Sequence, residues 1–406
     1  MLTTAFFSNN RKRLRQLCSS DALIVVTAHG LMQRNNDSAH PFRQESNFFY
    51  LTGSDEPNLV LVMDGKSGEE FIILPTQTEV ERYFGGIIDC DEIAKITGIQ
   101  QLYAQREGWD VFKKMQKSRK KIYTIPAPPV QFTRQERMFS SPARRLLIQK
   151  LRRISPLPIE SLSPQLIELR SVKHSEEIEM LKKAIDITAS GLRSVKKRLD
   201  EYEYEYEVEA TLDYEFKARG SKHGFAPPIV AAGKNATIVH YQKNNAPILK
   251  DDLLLLDIGA EWCNYGADVS RTYKVAGELS VREREVLEAI SSVSKHAISL
   301  LRPGLSWRDY ILSVDDVMGK ELFKMKLIHK NERSEVRQYF PYSISHSLGL
   351  DTHDICDYTQ PMREGMVITV EPGIHILEEG IGARIEDDIL ITKNGSVNLS
   401  ADIPYA

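Results

Sequence analysis

Several acids in this chain stand where a charge is expensive. Asp257 follows four leucines in LLLLDIGAEWCNYGADVSRTY, Glu371 closes the β-branched run of MVITVEPGIHI, and Glu386 lies within the apolar strand GARIEDDILIT. Asp268 opens the strand that follows a glycine-bounded turn after Asp257, so these two acids are expected to face each other across a hairpin. A buried carboxylate without a partner costs several kcal/mol or gives up its charge. Any one of the four could be a salt-bridged structural acid. Together, with few inward-looking bases nearby, they point to metal as the neutraliser. With His346 of YSISHSLGLDTHD they make an oxygen-rich ligand set whose four negative charges match two divalent cations and leave a bridging position for water or hydroxide. Such hard ligands suit Mn(II) and admit Co(II), Fe(II) or Zn(II).

Other residues gain meaning beside that set. His353 follows His346 in the same stretch, with Gly349 giving the backbone freedom to fold between them. His240 ends the apolar run of NATIVHY, read as a strand. Arg384 stands two residues before Glu386 and, on a strand, points to the same face, where it can orient the carboxylates.

The elements that carry these residues lie in the second part of the chain. At 406 residues, 42% hydrophobic and 27% charged, the sequence suits two well-buried domains. Between Ala22 and about Pro156 the apolar runs ALIVV, LVLVM, FIIL and KIYTI alternate with helix-like segments, the pattern of an α/β domain. A proline-bearing stretch, SPLPIESLSPQLIELRSVKHSEEIEML, then turns into helix, which puts the boundary near residue 165. Beyond it come helices around Glu176 to Leu199 and Tyr206 to Arg219 and then strands, an α+β domain. The acidic run DEYEYEYEVEA reads as the solvated start of the second helix. Residues 1 to 20, with Arg11, Lys12, Arg13 and Arg15, resemble a targeting presequence in composition, but their apolar spacing favours an amphipathic helix.

A net charge of -3 gives no global field for nucleic acid or an anionic membrane, and the longest apolar stretches fall far short of the roughly 20 residues that span a bilayer. Four cysteines without a CxxC pair favour a reducing, cytoplasmic setting.

At the acids and His346, the chain resembles the pita-bread metallopeptidases, which include methionine aminopeptidase, prolidase, aminopeptidase P and creatinase. The contexts DIGAEWCNYGADVSRTY, SHSLGLDTHD, TVEPGIHI and ARIEDD carry the resemblance over most of residues 230 to 390. The amino-terminal QRNNDSAHPFRQESNFFYLTGSDEP looks like the first domain of the aminopeptidase P group. The resemblance implies a creatinase/aminopeptidase P-like α/β domain over residues 1–165 and a pita-bread α+β catalytic domain over residues 166–406. It implies removal of the first residue from peptides with proline second, through a hydroxide bridging two divalent metals, and a homo-oligomer, dimer or tetramer, whose first domain lends residues to a neighbour. Glu371 would then take and pass on the proton of the attacking water. His353 would bond the substrate and the developing oxyanion, His240 the substrate near its proline, and Arg384 would fix the acidic network.

Some positions depart from the pattern of that group. Tyr342 and Ser343 stand where relatives have the first His and Gly of HGxSH, His375 where a Tyr is common, and GFAPPIVAAGKNATIVHY has prolines where aromatic or hydroxyl residues are frequent. Tyr342 and His375 are therefore expected in the substrate pocket. Two other readings stay open: a prolidase confined to Xaa-Pro dipeptides, and a binding protein on the same fold without catalysis.

Overall fold

The computed structural model describes residues 2–127, 141–222 and 224–405. The chain divides into two compact units, Met1–Leu169 and Arg170–Ala406.

In the first unit the apolar runs become the centre of a six-stranded mixed sheet. Its strands are β1 (Ala22–Thr27), β2 (Val60–Asp64), β3 (Glu70–Ile73), β4 (Leu102–Tyr103), β5 (Lys121–Thr124) and β6 (Ile159–Ser161), in the spatial order β4-β3-β2-β1-β5-β6. β1 runs antiparallel to β2 and parallel to β5. All six residues of β1 are buried, as a strand covered on both faces must be. The amino-terminal helix α1 (Thr4–Leu17) buries Phe6, Phe7 and Leu14. Two of its bases are fixed within the unit. Arg11 donates to the carbonyls of Leu51 and Thr97 and, with Arg15, pairs with Glu70.

Among its described residues, the second unit sets small antiparallel sheets against helices. One is ordered β9-β8-β7, from β7 (Ile229–Ala232), β8 (Leu253–Ile258) and β9 (Val269–Lys274). Helices α2 (Ser175–Lys197) and α3 (Glu205–Ala218) cover one face of it. Because side chains alternate along a strand, Leu254, Leu256 and Ile258 join the core with Leu192, Leu212 and Phe216, while Leu255 packs with Ala231 and Tyr241 on the opposite face. Asp257 shares the parity of Leu255 and so points away from the helices.

The same rule works in the other half. Strands β10 (Val367–Val370), β11 (Gly373–Ile376), β12 (Ile381–Arg384), β13 (Asp387–Thr392) and β14 (Gly395–Asn398) form a β10-β13-β14 sheet and a β11-β12 pair. Ile368, Val370, Ile374, Ala383, Ile389 and Ile391 face helices α4 (Val281–Leu300) and α5 (Trp307–Lys324) through Ile290, Val293, Tyr310 and Val314. Thr369, Glu371 and Arg384 take the other parity. Fully burying each such Ile, Leu or Val contributes about 1.5–3 kcal/mol, so the apolar faces decide which way the acids point.

Three expectations need correction. Glu386 is not inside a strand but in the two-residue break between β12 and β13. His240 does not end a strand: residues Gly233–Thr237 form a short 3-10 helix, held by Thr237 Oγ1 on the Lys234 carbonyl at 2.8 Å, and His240 lies in the exposed turn beyond it. Nor is the acidic run merely a solvated helix start. Glu205 is fully buried and accepts from the Ala232 and Ala246 amides, the Asn235 amide and the Tyr241 hydroxyl.

Candidate metal centre

Asp257 lies opposite Ser270 in the β8–β9 ladder, and Asp268 stands just before β9, two residues from Ser270. The two acids are thus diagonal neighbours on one face rather than directly opposed. Glu371 leaves the end of β10 on the face of Thr369, whose hydroxyl accepts from the His346 amide at 3.1 Å and lies 3.4 Å from Glu371 Oε1. Glu386 is brought in by backbone: its amide donates to the Ser270 carbonyl at 3.0 Å, and its Oε2 accepts from Ser270 Oγ at 2.7 Å.

His346 sits among these acids. Its Nε2 lies 3.5 Å from Asp268 Oδ2, 3.4 Å from Glu371 Oε1 and 4.0 Å from Glu386 Oε1. Its Nδ1 donates to the Ser347 carbonyl at 3.1 Å, which leaves Nε2 as a lone pair. Burial, and then the neighbouring His353, press the imidazole down to about 3, so it is neutral near pH 7. A lone pair facing carboxylate oxygens is repulsive unless a cation lies between them. The spacing fits one, since two donors each about 2.1 Å from an ion at tetrahedral angles stand roughly 3.4 Å apart. One ligand atom each from Asp268, His346 and Glu386 fall within 4.8 Å of one another.

The acids show the same strain. Burial, then Glu386 and Asp257, push Asp268 well above the carboxylate range; burial, then Glu386, do so for Glu371; and burial, then Asp257, raise Glu386 to about 8. One base answers part of this charge. Arg384 Nη2 pairs with Asp257 and Nε donates to Ser270 Oγ at 2.9 Å. Burial works against its charge, yet Asp257 and the other acids outweigh it and hold the guanidinium proton more tightly than usual. Although the strand breaks before Glu386, Arg384 and Glu386 still converge on one hydroxyl.

The expectation of few inward-looking bases also fails. Besides Arg384, Arg271 is fully buried, donates to the Glu386 carbonyl at 2.6 Å and pairs with Asp387 at 2.8 Å. Its charge is taken by Asp387, so the ligand acids still exceed the bases that reach them. Asp388, also buried and pushed up by burial, accepts from the Asp268 amide at 3.2 Å.

The remaining candidates flank this cage. His353 is exposed at the rim, its ring edge-on to that of His346 with centroids 4.3 Å apart. The protein around it, and then His240, hold His353 below the usual histidine range. Tyr342 is half-buried and His375 buried. His375 Nδ1 donates to the Ala236 carbonyl at 2.9 Å, so its Nε2 accepts from the Tyr342 hydroxyl at 3.4 Å. The Arg384 guanidinium lies over the Tyr342 ring, 5.7 Å from its centroid. Burial, then Arg384, press His375 to about 4. The pair therefore backs Arg384, and both ring nitrogens of His375 are engaged within the protein.

Sequence reasoning missed Ser270, Thr369, Arg271 and Asp388. Ser270 carried a usable signal, standing two residues beyond Asp268 on the same strand face.

Two family profiles match the chain: metallopeptidase family M24 over residues 179–393 and the aminopeptidase P N-terminal domain over residues 7–123. An Xaa-Pro aminopeptidase of Haemophilus influenzae is 31% identical over 98% of this chain and 94% of its own length. The structure of aminopeptidase P from E. coli with the inhibitor Pro-Leu superposes with a TM-score of 0.86 at 27% identity, covering 100% of this chain and 96% of that one. A zinc-substituted form of the E. coli enzyme with product matches with a TM-score of 0.85 at 27% identity, again over 100% of this chain and 96% of that one.

Proposed function

The chain belongs to metallopeptidase family M24, with a pita-bread catalytic domain behind an aminopeptidase P N-terminal domain, and from that membership we propose that it removes the first residue of peptides whose second residue is proline. The observation that carries the reading is the neutral His346 Nε2 held 3.4–4.0 Å from three carboxylates. Asp257, Asp268, His346, Glu371 and Glu386 would hold two divalent ions, with Mn(II) first among Co(II), Fe(II) and Zn(II). When bound, the ions supply charge neutralisation, polarise the scissile carbonyl and acidify the attacking water.

The chain's own residues do the rest. Glu371, deprotonated when it holds metal, accepts a proton from the attacking water and delivers it to the departing proline nitrogen. His353, at the rim, donates to the peptide and to the oxyanion that develops on its carbonyl, and His240 donates near the proline. Arg384 keeps Asp257 in place. Tyr342 and His375 shape the pocket wall from behind Arg384.

The aminopeptidase P N-terminal domain supports this activity over a prolidase, and the full set of candidate ligands supports an enzyme over a binding protein. A homo-oligomer is part of the proposal: the helix Glu79–Gly85 has no buried residue, and Val80, Tyr83, Phe84 and Ile87 beside it are exposed by 65%, 85%, 83% and 77%. The four cysteines without a CxxC pair support a cytoplasmic setting, and no described helix is long and apolar enough to cross a membrane.

Metal-free protein reloaded with Mn(II) tests the reading against an Xaa-Pro-Yaa tripeptide and an Xaa-Pro dipeptide. Cleavage of the tripeptide is expected. Cleavage of the dipeptide alone would make the protein a prolidase, and uptake of less than one ion per chain with no cleavage would remove the hydrolase reading.

A further inference from the structure

Arg170 and Lys173, just before α2, are cations whose side chains are only 1% exposed. Both reach Asp354, the residue after His353. Arg170 Nη2 pairs with Oδ1, and Lys173 Nζ lies 3.0 Å from Oδ2. Asp354 is itself 2% exposed at its side chain, so all three charges are out of water, where each must be answered. The same cations hold more of the loop: Arg170 donates to Asp351 Oδ2 at 2.8 Å, and Lys173 lies 3.4 Å from Ser347 Oγ. Glu177, which the Lys173 charge also reaches, is raised to about 7 by burial and accepts from the Tyr265 hydroxyl at 2.8 Å.

These contacts close the segment between the two imidazoles. The Asp354 amide donates to the Ser347 carbonyl at 2.8 Å, and Gly349 N donates to Asp351 O at 3.3 Å inside the loop. The Ser347 carbonyl is also the acceptor for His346 Nδ1. One oxygen thus receives both the closure of the loop and a bond from the His346 ring, which the Thr352 backbone of the same loop also engages. Gly349 is needed here for space rather than for backbone freedom: a Cβ would stand 2.1 Å from Asp354 Oδ2 and 3.0 Å from Lys173 Cε.

We propose that Asp354, anchored by Arg170 and Lys173, is a positioning residue that orients His346 and His353 together. It acts through the loop backbone and the Ser347 carbonyl. The work of the two imidazoles rests on the metallopeptidase reading; the coupling between them does not. Without the carboxylate the two buried tethers at Asp354 are lost, Arg170 keeps only the part-exposed Asp351 and Lys173 only the Ser347 hydroxyl, and the Ser347 carbonyl is freer to turn away from His346.

The test compares full-length wild type, Asp354→Asn and Asp351→Asn, whose side chain is 40% exposed in the wild type. Three quantities are read: Mn(II) affinity, kcat and KM on an Xaa-Pro-Yaa peptide, and the ring 15N shifts of His346 in metal-free protein. For Asp354→Asn, affinity and kcat should each fall about 10- to 100-fold, the range for groups that orient metal ligands. KM should rise by less than kcat falls, because His353 holds the bound peptide as well as the oxyanion, and the single Nδ1–H signature of His346 should disappear. Asp351→Asn, which removes only the part-exposed second partner of Arg170, should lose less than about threefold in affinity and kcat and keep the tautomer signal. Folded Asp354→Asn protein with affinity and kcat within about twofold of wild type, or with an unchanged tautomer signal, overturns the proposal.

If Asp354→Asn does not fold, Lys173→Gln keeps the Arg170 tether and should show the same pattern at about three- to tenfold. Wild-type values in that variant also overturn the proposal. Wild type that neither takes up metal nor cuts peptide would sink the functional reading instead, and the tautomer signal then decides the role of Asp354.

Discussion

Filling the metal centre should expel protons, and the site fixes roughly how many. Asp268, Glu371 and Glu386 keep their protons above the usual carboxylate range, Glu386 to about 8, whereas His346 is already neutral and has none to give. Ligands bind metal deprotonated, so near pH 6.5 up to three protons should leave. Each displaced proton raises the logarithm of apparent affinity by as much as one per pH unit, about 1.4 kcal/mol. Between pH 6 and 7 the Mn(II) affinity should therefore rise at least about tenfold and at most about a thousandfold, levelling off above about pH 8. Stability follows with the opposite sign in the metal-free protein. A carboxyl raised by folding contributes stability that is complete below its unfolded value and is lost as pH climbs through its folded value. Metal-free protein should lose Tm from about pH 5 to 8, and the metal increment should grow over the same interval. At a hundredfold excess over Kd the increment at pH 8 is worth about 2.7 kcal/mol, roughly 5–10 °C. Calorimetric titration in buffers of different ionisation enthalpy counts the protons, and thermal scans with and without Mn(II) read the increment. Release of fewer than about half a proton, with affinity flat from pH 6 to 7.5, would refute the reasoning by showing the acids already ionised in the empty cage.

Other perturbations address single groups. Asp268→Ala should abolish metal binding and activity while circular dichroism stays that of wild type, because the β8–β9 ladder begins beyond it; full activity in this variant would rule out the site as drawn. Glu371→Gln should keep its fold and lose about 100- to 10,000-fold in kcat, the range for a positioned acid–base group, and a loss below about tenfold would remove its proton-carrying role. Tyr342→Phe strands the buried His375 Nε2, at about 1–3 kcal/mol of stability by thermal or denaturant melts. Exchanging both partners, Tyr342→His with His375→Tyr, should restore more of kcat/KM than either single change; a double variant no better than the singles would dissolve the pair as a unit.

The legible part of the site was the part that local pattern betrays. Asp257 and Glu371 stand out because each ends an apolar run, and in the structure strand parity turns both away from the helix-packed faces. Glu386 was recognised but misplaced, since the break after Arg384 leaves no mark in a run as apolar as GARIEDDILIT. The TIV of NATIVHY has strand propensity, yet a side-chain bond from Thr237 keeps the preceding turn helical, so His240 is reached by another route. Arg271 carries no local signal, because its partner Asp387 lies 116 residues away. Gly349 illustrates the same limit: the sequence shows a glycine, but the carboxylate and lysine that exclude a Cβ come from elsewhere in the chain.

The cage is also split between two sheets. Asp257 and Asp268 belong to the β8–β9 side, while Glu371 and Glu386 adjoin β10 and β13. Neither side alone assembles Asp268, His346 and Glu386. During folding, each half can gather its own apolar face early, but the two must then be pressed together with their acids converging. Long-range docking of this kind is slow, and repulsion between the acids slows it further where they are charged. A divalent ion can act only on the docked form, so it would leave the early steps untouched and trap the last one, much as a clasp holds a lid that has already closed.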